Sequence, residues 1–301
     1  MHKNIIFISD LHLGSGEAND FHHAYHLHKL LEYAEENADE LVILGDFLEL
    51  LQCNFYEIYA QHHLIFTHLF ELAKKIPVKF VVGNHDAITA ADFDFEKKSY
   101  FLGSNIEIML EYENLPLKIF AAHGHQYSLM NSHQNRLDFS EVSAGDRIAR
   151  AVGWMEKNIH PKIDNLLEAV YIRLKKLHRK ISGKTKKFAE IVTPAHPDYK
   201  SLGGDFSEYI RAAKNILNSP RYSLCIFGHT HMPRVEGFEN GIYANSGSWV
   251  GERTPIFLEA NENFLRSIDV KTFEILENHS RQRQKVQQSE RVNIFKNKVL
   301  A

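Results

Sequence analysis

One pattern recurs five times along this chain: a short run of Ile, Val, Leu or Phe stops at a cluster of Gly, His, Asp or Asn. Ile5-Ile6-Phe7-Ile8 leads into Ser9-Asp10-Leu11-His12, and Leu41-Val42-Ile43-Leu44 into Gly45-Asp46. Val78-Lys79-Phe80-Val81-Val82 leads into Gly83-Asn84-His85-Asp86, and residues 117–122 into His123-Gly124-His125. Leu224-Cys225-Ile226-Phe227 leads into Gly228-His229-Thr230-His231. Apolar runs of this length, rich in Ile, Val and Phe, are read as buried strands. Glycine just after a strand permits a tight turn at positive φ without a Cβ clash. Between the first three runs, Leu27, Leu30, Leu31 and Ala34 have helical spacing. So do Leu64/Ile65, His68/Leu69 and Leu72/Ala73. Strand–helix–strand alternation predicts an α/β core with parallel pairs. Ligands of such sheets gather beyond the carboxyl ends of the strands. All five polar clusters fall there, so Asp10 and His231 are expected to share one site.

Composition narrows the class. With 301 residues, 44% hydrophobic and 24% charged, the chain has enough sequence for a large core. A formal net charge of −3 argues against a surface built for polyanions as a whole. The two cysteines, Cys53 and Cys225, are read as buried thiols in a reducing cytosol. The first apolar run is too short for a signal peptide, and nothing approaches 18 consecutive apolar residues. A cytoplasmic protein, resting at most on the inner face of a membrane, is expected. The 19 histidines bring metal binding and proton transfer forward.

We read residues 1–280 as a single domain with a helical insertion at about 130–220, followed by a basic tail at 281–301. Within the insertion, Ile148, Val152, Met155 and Ile159 share one helical face, and Leu166, Leu167, Val170 and Leu174 continue the pattern after Pro161. Residues 171–188 carry eight Lys or Arg and no acid. A further helix is predicted from Phe206 to Leu217, and further strands at 241–244, 256–258 and 265–268.

The clusters offer Asp10, His12, Asp46, Asn84, His123, His229 and His231: two carboxylates, an amide oxygen and four imidazoles. Mixed nitrogen and oxygen ligation without thiolate suits Mn, Fe, Co or Zn. Seven groups are too many for one tetrahedral ion and suit two adjacent ions. Two cations roughly 3.5–4 Å apart repel, so an anion must bridge them. We assign the bridge to Asp46. Two divalent ions lower the pKa of a bridging water and make hydroxide available near neutral pH.

Asp10-x-His12, Gly45-Asp46, Gly83-Asn84-His85-Asp86, His123 and Gly228-His229-Thr230-His231 resemble, in order, the five signature blocks of the calcineurin-like metallophosphoesterases. The resemblance implies two packed mixed β-sheets flanked by helices, here with a helical cap. It implies a metal-dependent hydrolase of phosphoester or pyrophosphate bonds using a metal-bound hydroxide, with two divalent ions, manganese first and iron or zinc as alternatives. Asp10, His12, Asp46 and His231 would hold one ion, and Asp46, Asn84, His123 and His229 the other. His85 would contact the phosphate and protonate the leaving group, and Asp86 would orient His85. Many members carry His-Gly-Asp where this chain has His123-Gly124-His125, and His125 is not counted as a ligand.

The Asp10–Leu13 opening, the acid Glu49 after Gly45-Asp46 and the helical insertion resemble the UDP-2,3-diacylglucosamine pyrophosphohydrolases. That resemblance implies a lipid-linked substrate, although those enzymes often have Arg at the position of His85. The basic run suits a polyanionic headgroup or an anionic membrane surface, and a solvated helix face equally. Another nucleotide, phospholipid or small phosphoester stays open as substrate. Two further readings also stay open: a protein-binding scaffold of the same fold, and a nuclease. The filled ligand positions argue against the scaffold. Balanced charge and the lack of an aromatic-studded basic groove argue against nucleic acid. Asn245-Ser246-Gly247-Ser248-Trp249 is read as a structural turn or a substrate contact. The His22–His28 cluster is read as a polar helix start, and His62, His63 and His68 as surface groups or supports of the site. The tail's Arg281, Arg283, Lys285 and Arg291 are read as solvated.

Overall fold

The computed structural model describes residues 3–16, 19–86, 105–127, 206–251 and 254–281. The predicted helices at 145–188, the basic run and the tail beyond Arg281 lie outside these residues. The five predicted strands are present as β1 (Ile5–Ile8), β2 (Glu40–Leu44), β3 (Val78–Val81), β6 (Ile119–Ala122) and β7 (Leu224–Phe227). The sequence reading missed β4 (Ile106–Met109) and β5 (Glu111–Asn114) between them. After β7 come β8 (Arg234–Phe238), β9 (Gly241–Asn245), β10 (Ile256–Ala260), β11 (Phe264–Asp269) and β12 (Ile275–Ser280). The described helices are α1 (Ala24–Asn37), α2 (Phe55–Ala73) and α3 (Phe206–Leu217).

Two mixed sheets form, a seven-stranded one in the order β12-β11-β10-β1-β2-β3-β4 and a five-stranded one in the order β5-β6-β7-β9-β8. β1, β2, β3 and β4 run parallel, and β10 lies antiparallel beside β1. In the second sheet β6, β7 and β9 run parallel. Side chains of each strand alternate between two layers, which is why the runs read as continuously apolar. Ile5, Phe7, Val42 and Leu44 face Ile119, Ala121, Leu224 and Ile226 between the sheets. Ile6, Ile8, Leu41 and Ile43 face the other way, against Leu27, Leu31, Ile65 and Leu69 of α1 and α2. Phe120, Cys225 and Phe227 pack under Tyr209, Ala213 and Leu217 of α3. The order is therefore helices, sheet, sheet, helix.

The predicted helical stripes hold, with Leu27, Leu30, Leu31 and Ala34 all buried, except that Leu64 is exposed. α2 starts at a capping box: Asn54 accepts the Glu57 N–H at 3.0 Å, and Glu57 accepts the Asn54 N–H at 3.2 Å. Such a cap contributes about 1 kcal/mol. Both cysteines are free and buried. Burial pushes the Cys225 thiol well up, so it behaves as an inert core group. Arg281, read above as solvated, is instead half-buried: it donates to the carbonyls of Asn261 and Leu117 and to Ser223 Oγ, joining the two sheets. Among the described residues no helix is long and apolar enough to cross a membrane.

Candidate metal centre

The carboxyl ends of β1, β2, β3, β6 and β7 converge. Beyond β1 and β2 the pairing continues in the loops, with Asp10 N–H on Gly45 O at 3.0 Å and His12 N–H on Asp46 O at 2.9 Å. Gly228 N–H on His123 O, at 3.0 Å, extends β6 and β7 in the same way. This backbone is strained. Asp10, His12, Asp46, His229 and His231 all have positive φ, between 47° and 64°. Each costs roughly 1–3 kcal/mol, and together they rival the net stability of a domain, about 5–15 kcal/mol. The surrounding core must over-determine such a conformation, and strain of this kind collects at functional sites.

Glycines let the strand ends come this close. A methyl group at Gly83 would overlap the carboxylate and backbone nitrogen of Asp46, and one at Gly228 would lie 2.7 Å from an Asp10 oxygen. We expect Gly83→Ala to displace Asp46 and to lower bound metal and turnover together by tenfold or more, measured as metal content and kcat. An alanine variant with full metal content would show that the close approach is dispensable.

All seven expected donors come together. Histidine, aspartate and asparagine atoms meet in two groups, linked by a third in which ligand atoms of His12, Asp46 and His85 also lie within 4.8 Å of one another. In the first, Asp10, His12 and His231 lie with their ligand atoms within 4.8 Å of one another. His12 Nε2 is 3.1 Å from His231 Nε2, and His231 Nε2 is 3.2 Å from Asp10 Oδ1. In the second, Asp46, His123 and His229 satisfy the same limit, and Asn84 Oδ1 lies 3.2 Å from His123 Nε2. Asp46 sits between the groups, its Oδ2 3.0 Å from His123 Nε2 and 3.9 Å from His12 Nε2. It is 1% exposed, so its charge is shielded from water and must be met by a cation.

The donor set fits a cation. His123 Nδ1 is 2.8 Å from the Leu44 carbonyl, which can only accept, so Nδ1 carries a proton. Its Nε2 then faces two oxygens, from Asp46 and Asn84, across about hydrogen-bond distance. Three lone pairs converging in a buried space require either a second proton or a metal ion. Burial disfavours the imidazolium, but the Asp46 carboxylate outweighs it and pushes the His123 pKa up to about 9. His229 goes the other way: burial, then the charge of His123, hold it well below the usual histidine range, in the neutral form that metals take. Asp10 is anchored from behind, where Ser9 Oγ and the His229 N–H donate to its carboxylate.

Two residues act differently from the sequence reading. Asp86 was expected to orient His85. Instead Asp86 Oδ2 accepts the N–H groups of Asp46 at 2.7 Å and Gly83 at 2.8 Å, and Oδ1 accepts that of Leu48 at 2.8 Å. It staples the β2 and β3 loops together, since adjacent residues in a turn point apart. Burial and the neighbouring Asp46 charge push its pKa up to about 7, against the pull of those backbone N–H groups. The partner of His85 is Glu49. Glu49 Oε2 is 2.8 Å from His85 Nδ1 and 2.9 Å from His12 Nδ1, so one carboxylate holds both rings. Burial raises the Glu49 pKa, but the His85 charge and the bonds from His12 and His85 win and bring it to about 2. His85 in turn is pushed to about 10, where burial opposes its charge but Glu49 and Asp46 prevail. Its side chain is 25% exposed and that of His231 40%, which leaves both open to a bound substrate, while Asp10, His12, Asp46, Asn84 and His123 are buried.

The Asn245–Trp249 loop is a support. Asn245 donates to Gly228 O at 2.7 Å, Ser246 Oγ lies 2.6 Å from Ser9 Oγ, and Trp249 N–H bonds Asp10 O at 2.9 Å. His62, read as a surface or supporting group, is buried and donates to Gly14 O at 2.9 Å, fixing the loop after His12. His125 lies tilted beside His123 and edge-on to His229, with ring centroids 5.4 and 6.2 Å away.

A fold of two mixed sheets with paired His and Asp clusters at its strand ends is that of a metal-dependent phosphoesterase. The family model of calcineurin-like phosphoesterases matches residues 3–233, more than half the chain and every residue of the centre. The chain belongs to that family. No curated protein matches the chain significantly. Among solved structures it is similar to YfcE, a phosphoesterase from E. coli, at 17% identity and TM-score 0.45, over 92% of this chain and 98% of that one. It is also similar to a dimetal phosphatase from Danio rerio at 13% identity and TM-score 0.48, over 92% and 98% of the two chains. Vacuolar protein sorting 29 from Cryptosporidium parvum follows at 14% identity and TM-score 0.39, over 93% and 98%. At these values the likenesses do not bear on substrate or partner.

Proposed function

We propose that the protein hydrolyses a pyrophosphate or phosphodiester bond in a lipid- or nucleotide-linked substrate, of the UDP-2,3-diacylglucosamine type, at a centre of two divalent ions, manganese first. Asp10, His12, Asp46 and His231 would hold one ion, and Asp46, Asn84, His123 and His229 the other. The observation that carries this reading is the pair of tied-back imidazoles: His12 and His123 have Nδ1 engaged by Glu49 and Leu44 O, so each offers Nε2 to the space around Asp46. Backing of this kind fixes tautomer and direction in metal-binding histidines. The ions would supply positive charge on the phosphoryl oxygens and activate a water for in-line attack. The chain's own residues do the rest. Asp46 sets the spacing of the two halves of the site. His85, protonated through Glu49, stands over the centre and donates its proton to the departing oxygen. Asp86 keeps the Asp46 and Gly83 loops in register.

The substrate class is supported by the Asp10–Leu13 opening, the acid Glu49 and the insertion between His123 and Gly228, whose residues 171–188 carry eight Lys or Arg. That basic run suits an anionic headgroup or membrane face, each cation near such a surface being worth about 1 kcal/mol. We place the enzyme in the cytoplasm, touching the membrane peripherally, without a nucleic-acid partner. Phosphorus NMR on the manganese-loaded protein tests this with UDP-2,3-diacylglucosamine, a simple nucleotide sugar, a phosphodiester and a phosphomonoester. Release of UMP and the lipid 1-phosphate in preference to the others is expected. Turnover of only the simple esters would overturn the lipid substrate and keep the hydrolase. Silence across the panel, with metal bound, would overturn both.

A further inference from the structure

We propose that His28 and His68 form a separate cation site that clamps α1 to α2 through a borderline divalent ion of the zinc type. His28 follows buried Leu27 on α1, and His68 precedes buried Leu69 on α2. The two apolar stripes face the sheet, and this rotates both imidazoles into the half-buried seam between the helices. There Nδ1 of His28 faces Nδ1 of His68 at 2.9 Å, with ring planes 15° apart and centroids at 5.2 Å. Without an ion, such a contact needs one ring to donate and the other to accept. An ion between them replaces that shared proton. Two nitrogens bound tetrahedrally to zinc, with bonds of about 2.0–2.1 Å, stand about 3.3 Å apart. The rings need to part by a few tenths of an ångström and also to turn, because with Nδ1 atoms 2.9 Å apart and centroids 5.2 Å apart the two lone pairs point straight at each other.

A second facing pair gives a comparison within the same chain. His12 Nε2 and His231 Nε2 lie 3.1 Å apart, and both belong to the ligand set proposed above. The comparison rests on that reading, whereas the geometry of the helix pair does not. Glu32 is one turn beyond His28 on α1, and its charge is felt by both His28 and His68. It is held only by an exposed ion pair with Lys29, at 2.7 Å, which is easily given up. Glu35, paired with Lys75, also acts on His68. Two imidazoles, with water completing the coordination, suit zinc, nickel, cobalt or copper. Manganese stands lowest in affinity for such donors. The pair would therefore take a different ion from the one favoured at the strand ends.

Chelator-stripped protein is dialysed against Zn(II), and bound zinc per chain is measured in the unsubstituted protein, in His28→Gln, in His68→Gln and in each combined with Asp46→Asn. Each histidine substitution is expected to lower bound zinc by one equivalent, with turnover of the manganese-loaded single variants unchanged within twofold. Asp46→Asn alone is expected to keep the helix-bound zinc, and His68→Gln to remove it from that background. If the Asp46 variant retains an ion that His68→Gln removes, the clamp stands whatever becomes of the strand-end reading. Equal zinc with and without the two histidines would overturn the clamp. Should a glutamine variant fail to fold, the imidazole resonances of His28 and His68 in Asp46→Asn protein decide. Zinc must shift both, and resonances that do not move would refute the site.

Discussion

Asp46→Asn is expected to lower kcat by about a thousandfold or more, a loss of roughly 4 kcal/mol of transition-state stabilisation. The reason is charge at one buried point. Asp46 is the carboxylate shared by the two donor groups, with Oδ2 toward His123 and His12 and Oδ1 on the His85 N–H at 2.8 Å. Asparagine keeps the shape and one acceptor, but it brings no negative charge between two cations that repel at close range. The imidazoles would then face the proposed ions without an anion between them. The checks are steady-state turnover and metal content, with the far-UV circular dichroism spectrum confirming the fold. Turnover near that of the unsubstituted protein would defeat the bridged two-ion centre.

Glu49→Gln is expected to cost about 10–100-fold in kcat, the range seen when the groups behind metal ligands are removed. Glu49 holds His12 and His85 at once, through Oε2 contacts of 2.9 and 2.8 Å on their Nδ1 atoms. Glutamine has nearly the same volume but offers no charge, so His85 loses its strongest support as a cation. The His85 pKa, about 10 in the native arrangement, falls, and so does the fraction able to give a proton to the leaving group. A purely structural role would slow all substrates alike. A proton-positioning role predicts a larger loss for an alkyl leaving group than for p-nitrophenolate, which departs without help. Equal losses on the two esters would remove His85 from leaving-group protonation.

The sequence carried the centre of this fold well, for a physical reason. Strands buried on both faces read as unbroken apolar runs, and each of the five here gives way within two residues to glycine or a metal-type donor. Helices covering only one face show their period, as Leu27, Leu30, Leu31 and Ala34 do. The missed strands lie where those signals fade. β4 and β5 sit on either side of Leu110 alone, yet belong to different sheets, so Ile106–Asn114 reads as one stretch. β12 is an edge strand with Ile275 and Leu276 exposed, and its alternation carries no information. At the site, the seven donors were legible because their residue types announce their chemistry. The duties of Glu49 and Asp86 were not. Glu49 meets His85 across 36 residues of sequence, while Asp86, next to His85 in the chain, turns its carboxylate to the backbone of Asp46, Leu48 and Gly83. Proximity in a loop says little about which way a side chain points.

The most direct test of a two-ion phosphoesterase is a manganese titration of chelator-stripped protein. Bound metal and hydrolysis of a reactive phosphodiester are followed together. Manganese is the right probe because the helix-borne histidine pair has least affinity for it. The account predicts no turnover in chelator, and a rate that levels off as the second ion per chain binds. Full turnover in chelator, or a plateau reached at one ion, would contradict it.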